Sequence, residues 1–391
     1  MEEIIYFSYN EKSSSLLIFF INSLIFSGLL LTHGLTNKNK SDFWLASFVF
    51  LGGLYLCPFM LGYAGWYGKQ VYREILFFIP FQQLFLLGPV FYYYVRNLLE
   101  TDLKYSQLDL LHFLPSIVYL LFSAIVFITD KLVLKDFYFY ADGKDMDLDF
   151  WYQFSGVISM SFYLFLSLKR YLQYRNYALQ EFSFADEVAF KWLKYFIISF
   201  IILIALRIIL FISNPEWGNF GSKYWYYICF SILLLIIAIK GYSNVVRLSQ
   251  LAINPSNFNF INESNDQSNG EILNDTEITN WKQIILNEIQ LNEAYKDHNL
   301  TLLTFAGIIG TNRNILSKVI NFGFGKNFND FINEFRVQSV IDAFEKGEHK
   351  NSTLEGLCYE HGFSSKSTFN RAFKKLTGFT PIEYLEYNNL K

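Results

Sequence analysis

Two short runs of side chains carry most of the chemistry that this sequence offers. In the first, Asn312, Arg313, Asn314, Ser317, Lys318 and Asn321 turn outward from a helix expected over about 312–321. In the second, Ser365, Lys366, Ser367, Asn370, Arg371, Lys374 and Lys375 fall mostly off an apolar stripe of Phe369, Phe373 and Leu376, spaced i, i+4, i+7. Amide, hydroxyl, guanidinium and ammonium groups on an exposed helix face suit base edges and phosphates. A merely solvated helix face is the plainer reading of either run taken alone, so the elements around each run decide.

Each run follows a second short helix and a glycine turn. Phe305, Ile309, Leu316 and Val319 are spaced so that two crossing helices share a small core, with Ala306 small enough for the partner helix to lie against it and Gly310 free to take a left-handed turn. Leu357, Cys358 and Gly362 repeat that arrangement with a turn one residue longer, and Ser364 or Ser365 can cap the incoming helix. Between the two units, residues 327–344 read as one amphipathic connecting helix, a rigid spacer.

Residues 299–302, 316–321 and 335–337 and the run GFSSKSTFNRAFKKLTGFTP at 362–381 resemble the tandem DNA-binding domain of AraC/XylS-type transcription regulators. The resemblance covers about the last quarter of the chain. It implies an all-α domain with two helix-turn-helix units that binds double-stranded DNA, with the two polar runs as its DNA-binding residues. Gly356 and Cys358 depart from the better helix formers expected at their positions, which should loosen the second unit.

The rest of the chain has a different composition. Of 391 residues, 52% are hydrophobic, 20% aromatic and only 17% charged, which excludes an ordinary soluble globule. The apolar residues crowd before about residue 240, where seven runs approach the roughly 20 residues needed to cross a ~30 Å hydrocarbon core. They are 16–35, 43–62, 75–95, 108–129, 150–168, 192–213 and 224–241. Pro80, Gln82, Gln83, Gly88 and Pro89 interrupt the third. The fold class expected is therefore all-α, a seven-helix transmembrane bundle followed by the tandem helix-turn-helix domain. The acidic Glu2 and Glu3 and the lack of a small-residue cleavage pattern make the first run a retained helix.

An odd number of crossings with the DNA-binding end in the cytoplasm puts the amino terminus outside, in a multi-pass protein of the inner (cytoplasmic) membrane. Lys38, Lys40, Arg96, Lys104, Lys169, Arg170, Arg175, Lys191, Lys240 and Arg247 fall on the inner side of that arrangement. The loop at 130–149 falls outside with six aspartates, and aromatic clusters mark several span ends. Past the last span the helix should continue over 243–251 and end before Pro255, leading into a flexible acidic linker at about 257–276. Residues 278–295 regain helical periodicity, either to dock on the tandem domain or to pair with a second chain. The domain division expected is 1–241, 242–277 and 278–391.

Three cysteines without a Cys-x-x-Cys pair and five scattered histidines indicate neither a disulfide framework nor a metal site, and no cofactor is expected. No nucleophile and base pair or phosphate-cradling glycine loop stands out, so no residue is assigned a catalytic role. The net charge of −3 is compatible with DNA binding because the second polar run is locally basic. Polar groups inside spans are costly, which singles out Gln82, Gln83 and Arg207 as ligand or relay candidates, although Arg207 lies close enough to the outer end to snorkel.

The reading is a membrane-bound one-component transcription regulator that couples a small-molecule or membrane signal to promoter DNA. Its expected partners are double-stranded DNA, the bilayer, the signal and, in a homodimer, a second copy of the chain. The alternative is a membrane enzyme or transporter carrying a regulatory, protein-binding helix-turn-helix domain. Retention of DNA by the fragment 278–391 separates the two.

Overall fold

The computed structural model describes residues 6–100, 105–213, 223–251 and 274–389. The described residues are helical nearly throughout, and the chain divides into two compact units. One comprises Met1–Tyr171 with Trp192–Asn259, and the other Leu172–Lys191 with Phe260–Lys391.

The first unit contains α1 (Glu11–Asn37), α2 (Lys40–Tyr63), α3 (Gln70–Phe78), α4 (Leu84–Leu99), α5 (Leu114–Phe127), most of α6 (Phe150–Glu181), α8 (Lys191–Ser213) and α9 (Tyr224–Leu251). Helix α2 packs against α1, α4 and α9, and 78% of its apolar stretch is buried, against 17% for α1. The apolar side chains of α1 and of the stretch around α5, such as Ile18, Ile25, Leu108 and Leu121, are instead exposed. An apolar surface of that extent marks contact with lipid or another apolar partner.

Among the described residues five helices are long and apolar enough to cross a membrane, where the sequence suggested seven. They are Glu11–Asn37, Lys40–Tyr63, Gln107–Val133, Lys191–Ile209 and Tyr224–Ser243. The stretch at 75–95 is broken into α3 and α4, because the chain turns extended at Ile79 before Pro80 and stays non-helical through Gln83. The stretch at 150–168 is helical within α6, but its apolar residues alternate with Gln153, Ser155, Gly156, Ser159 and Ser161. Helix α9 does run on to Leu251, whereas the linker expected at 257–276 lies almost wholly outside the described residues.

The second unit holds α7 (Ala185–Val188) and α10 (Asp275–Asn292), then α11 (Leu302–Ile309), α12 (Arg313–Lys318), α13 (Phe328–Glu345), α14 (Leu354–Glu360), α15 (Lys366–Thr377) and α16 (Pro381–Tyr387). Two apolar cores lie side by side along α13. Phe328, Phe331 and Ile332 join Phe305, Ala306, Leu316 and Val319, while Val337, Val340, Ile341 and Phe344 join Leu357, Cys358, Phe369 and Phe373. Because one helix contributes to both cores, neither core can tilt without disturbing the other. Helix α10 docks on the first core through Ile285 and Ile289.

Candidate nucleic-acid interface

Local chemistry sets up both helix pairs. Thr301 caps α11, Gly310 ends it at φ +76°, and Asn312 caps α12 by accepting from the Ile315 N–H at 2.8 Å. Thr353 caps α14, Gly362 turns at φ +87°, and Ser365 caps α15 through the Thr368 N–H at 3.4 Å. Each cap satisfies a donor that the first helical turn would otherwise leave open. Phe369 and Phe373 are buried, but Leu376, expected as the third member of their stripe, is 44% exposed. It lies in the last turn of α15 and lines a cavity there rather than the core.

Asn312 and Asn314 are exposed, while Ser317, Lys318 and Asn321 are half-buried, with Asn321 Nδ2 donating to Ser317 Oγ at 3.3 Å. On the second unit Lys366, Ser367, Lys374 and Lys375 are exposed, Ser365 and Asn370 are half-buried, and Lys374 and Lys375 complement the carboxyl-terminal end of the α15 dipole. Lys375 Nζ also reaches Asp330 Oδ1 of α13 at 2.7 Å.

The two arginines of the polar runs have partners that sequence reasoning did not find. Arg313 Nε donates to Glu181 Oε2 at 2.7 Å, and Arg371 forms an ion pair with Asp186, which Lys191 also meets at 2.8 Å. Both carboxylates belong to Leu172–Lys191, the last turns of α6 and the stretch from there to the start of α8, which is part of this unit. Phe182 forms an antiparallel bridge with Thr301, and the Ser183 N–H donates to Leu300 O at 3.1 Å. Asn329 Nδ2 donates to Ser183 O at 2.9 Å and to Phe182 O at 3.2 Å.

Arg336 of α13 is the centre of this docking. It is 1% exposed, and its guanidinium donates to Tyr295 O at 2.7 Å, Asp297 O at 2.7 Å, Asn333 Oδ1 at 3.2 Å, Ser183 O at 3.3 Å and Ser183 Oγ at 2.9 Å. A guanidinium has five N–H donors, so each finds an acceptor, and Ser183 supplies two. Burial pulls the Arg336 pKa down to about 10. No local pattern in the sequence could have shown the pairings of Arg313, Arg336 and Arg371 with Glu181, Ser183 and Asp186, because those partners lie more than a hundred residues away.

In the first unit, Gln82 and Arg207 share one network and Gln83 stands outside it. Gln153 joins them, donating from Nε2 to Gln82 Oε1 at 2.5 Å and accepting at Oε1 from Arg207 Nη2 at 2.5 Å. Arg207 also donates to Tyr55 Oη at 3.1 Å and lies over the Tyr226 ring at 4.9 Å, so it turns inward instead of snorkelling outward. Gln83 Nε2 donates to Pro80 O at 2.6 Å in the local turn. The cavity beside Arg207 measures about 30 Å³, room for water. The loop at 130–149, read from the sequence as an acidic outer loop, buries Asp130, Asp145 and Asp147. Tyr67 Oη donates to Asp145 Oδ2 and Tyr119 Oη to Asp147 Oδ1, each at 2.5 Å.

Residues 305–387 match the helix-turn-helix domain family. Two uncharacterized HTH-type transcriptional regulators of Staphylococcus aureus, from strains COL and MSSA476, are each 29% identical to this chain over 118 residues. That stretch is 30% of this chain and spans 14% of the length of each relative. No solved structure matches the chain. The carboxyl-terminal part is thus a helix-turn-helix domain similar to those of transcription regulators, preceded by helices of membrane-crossing length and apolarity.

Proposed function

We propose that the protein is a membrane-bound, one-component transcription regulator of the AraC/XylS type, which binds promoter DNA through both helix-turn-helix units and responds to a signal at or in the membrane. The observation that carries this reading is α13: one helix contributes to two cores, each holding a capped helix whose outer face bears cations and amides. The residues assigned to DNA are the two polar runs, with Asn312 and Ser365 also acting as caps. The protein sits in the cytoplasmic membrane with the tandem domain inside, and an odd number of crossings puts the amino-terminal end outside. Gln82 and Arg207, linked through Gln153, are the polar groups placed to feel a signal within the first unit.

A rigid spacer between two reading helices favours contact with successive major-groove segments on one face, about 10–10.5 base pairs apart. The full chain in lipid nanodiscs should therefore bind duplex DNA with strong salt dependence and protect two unlike half-sites a turn apart. Inserting five base pairs between the half-sites should abolish simultaneous protection by one monomer. Continued protection of both would reject the rigid two-unit reading.

A further inference from the structure

We propose that Leu172–Lys191 is an intramolecular partner of the tandem domain that competes with DNA for its arginines. The inference rests on the reading of this domain as a DNA binder. Glu181 takes Arg313 of the first unit and Asp186 takes Arg371 of the second, so one acidic segment engages one cation from each polar run. A guanidinium committed to a carboxylate cannot offer the same donors to a phosphate or a guanine edge, and DNA brought to either arginine meets the carboxylate's charge at close range.

The docking is built, not a stray pair of surface contacts. Ser183 gives its carbonyl and hydroxyl to the buried Arg336, its N–H meets Leu300 O, and Asn329 holds the carbonyls of both Phe182 and Ser183. These neutral contacts fix the segment at its centre and set which acids face which arginines. The hold is uneven, however. An open cleft of about 500 Å³ lies along the Asp186 side, lined by Arg175, Asp186, Lys191, Arg371 and Lys375 among others, and Arg371 is 48% exposed against 27% for Arg313. The Asp186–Arg371 contact is therefore the looser end of the latch. The segment includes the end of α6 and runs to the start of α8, so displacement of either helix pulls on it through the chain itself.

The test uses the full chain in nanodiscs and a mixed-sequence duplex of about 40 base pairs, several helical turns long. The double variant Glu181→Gln with Asp186→Asn removes both competing charges and leaves Ser183 and Arg336 in place. It should bind roughly tenfold more tightly than the unaltered chain, with a salt slope steeper by about two, one for each arginine released to a phosphate. Equal or weaker binding by the double variant overturns the latch while leaving DNA binding intact. Failure of both proteins to bind any duplex overturns the DNA-binding reading and the latch with it. A second measurement needs no substitution: adding the duplex to the unaltered chain should speed amide exchange at Phe182 and Ser183. Unchanged protection there with the duplex bound means that segment and DNA do not exclude one another, and the proposal fails.

Discussion

Glu181 and Arg313, 132 residues apart in sequence, meet at 2.7 Å with side chains only 7% and 27% exposed. An ion pair this shielded should exceed the usual surface pair, and its coupling should reach about 1 kcal/mol. A double-mutant cycle with Glu181→Ala and Arg313→Ala, read from denaturant unfolding of the second unit in the full chain, measures it. Coupling near zero would mean that the neutral Ser183 contacts alone hold the segment.

The two turn glycines should differ in their tolerance of a side chain. Gly310 has φ +76° and open space around it, so Gly310→Ala meets only left-handed strain, about 1–2 kcal/mol. At Gly362, φ +87°, an added Cβ would also lie 2.5 Å from Tyr295 O and 2.7 Å from the Lys296 Cα. Gly362→Ala should therefore cost clearly more, about 3 kcal/mol or above, once the backbone at 295–296 is forced aside. Amide exchange of α11 and α12 in the Gly310 variant and of α14 and α15 in the Gly362 variant compares them, and equal losses would show that the backbone yields freely.

Acidity should stabilise the first unit through two buried aspartates. Burial pushes the Asp145 carboxyl up to about 6, and burial together with the neighbouring Asp145 charge pushes Asp147 up to about 7. Both values lie above the ordinary 3.8, so the folded chain binds the extra protons. The associated stability is complete below the ordinary value and is lost as pH rises through about 6 to 7. The melting temperature in detergent should fall across that interval, and Asp147→Asn should flatten the fall. A melting temperature that rises across the same interval would contradict the burial of these carboxyls.

The Tyr67–Asp145 hydrogen bond also constrains topology. It joins the loop after α2 to the stretch before α6, so under the proposed membrane placement both should lie on one face. Only one of the five apolar helices, Gln107–Val133, falls between them, and a single crossing would leave them on opposite faces. The proposed placement then needs a second crossing in this interval, for which α4, 16 residues or about 24 Å, is the segment available. In a Cys229→Ser background, Lys69→Cys and Lys144→Cys should both react with an impermeant maleimide from outside, and Lys350→Cys should not. Opposite labelling of the first two would rule out the shared face.

What the sequence determined by itself was local. Gly310 and Gly362 at the turns, a serine cap on α15 at 364 or 365, and the Phe369–Phe373 stripe follow from backbone sterics and helical period, which act over a few residues. The same reasoning failed one turn further on, at Leu376, because periodicity gives a face and not where the neighbouring core ends. Only the tertiary structure decided that Glu181, Ser183 and Asp186 belong beside α12, α13 and α15, that Arg207 turns inward to Gln153, and that Asp145 and Asp147 leave water. Each of these pairs an ordinary polar residue with a distant one. Their partners are chosen by how helices pack and by the cost of burying a charge or donor unmet, and neither is written in the spacing of residues along the chain.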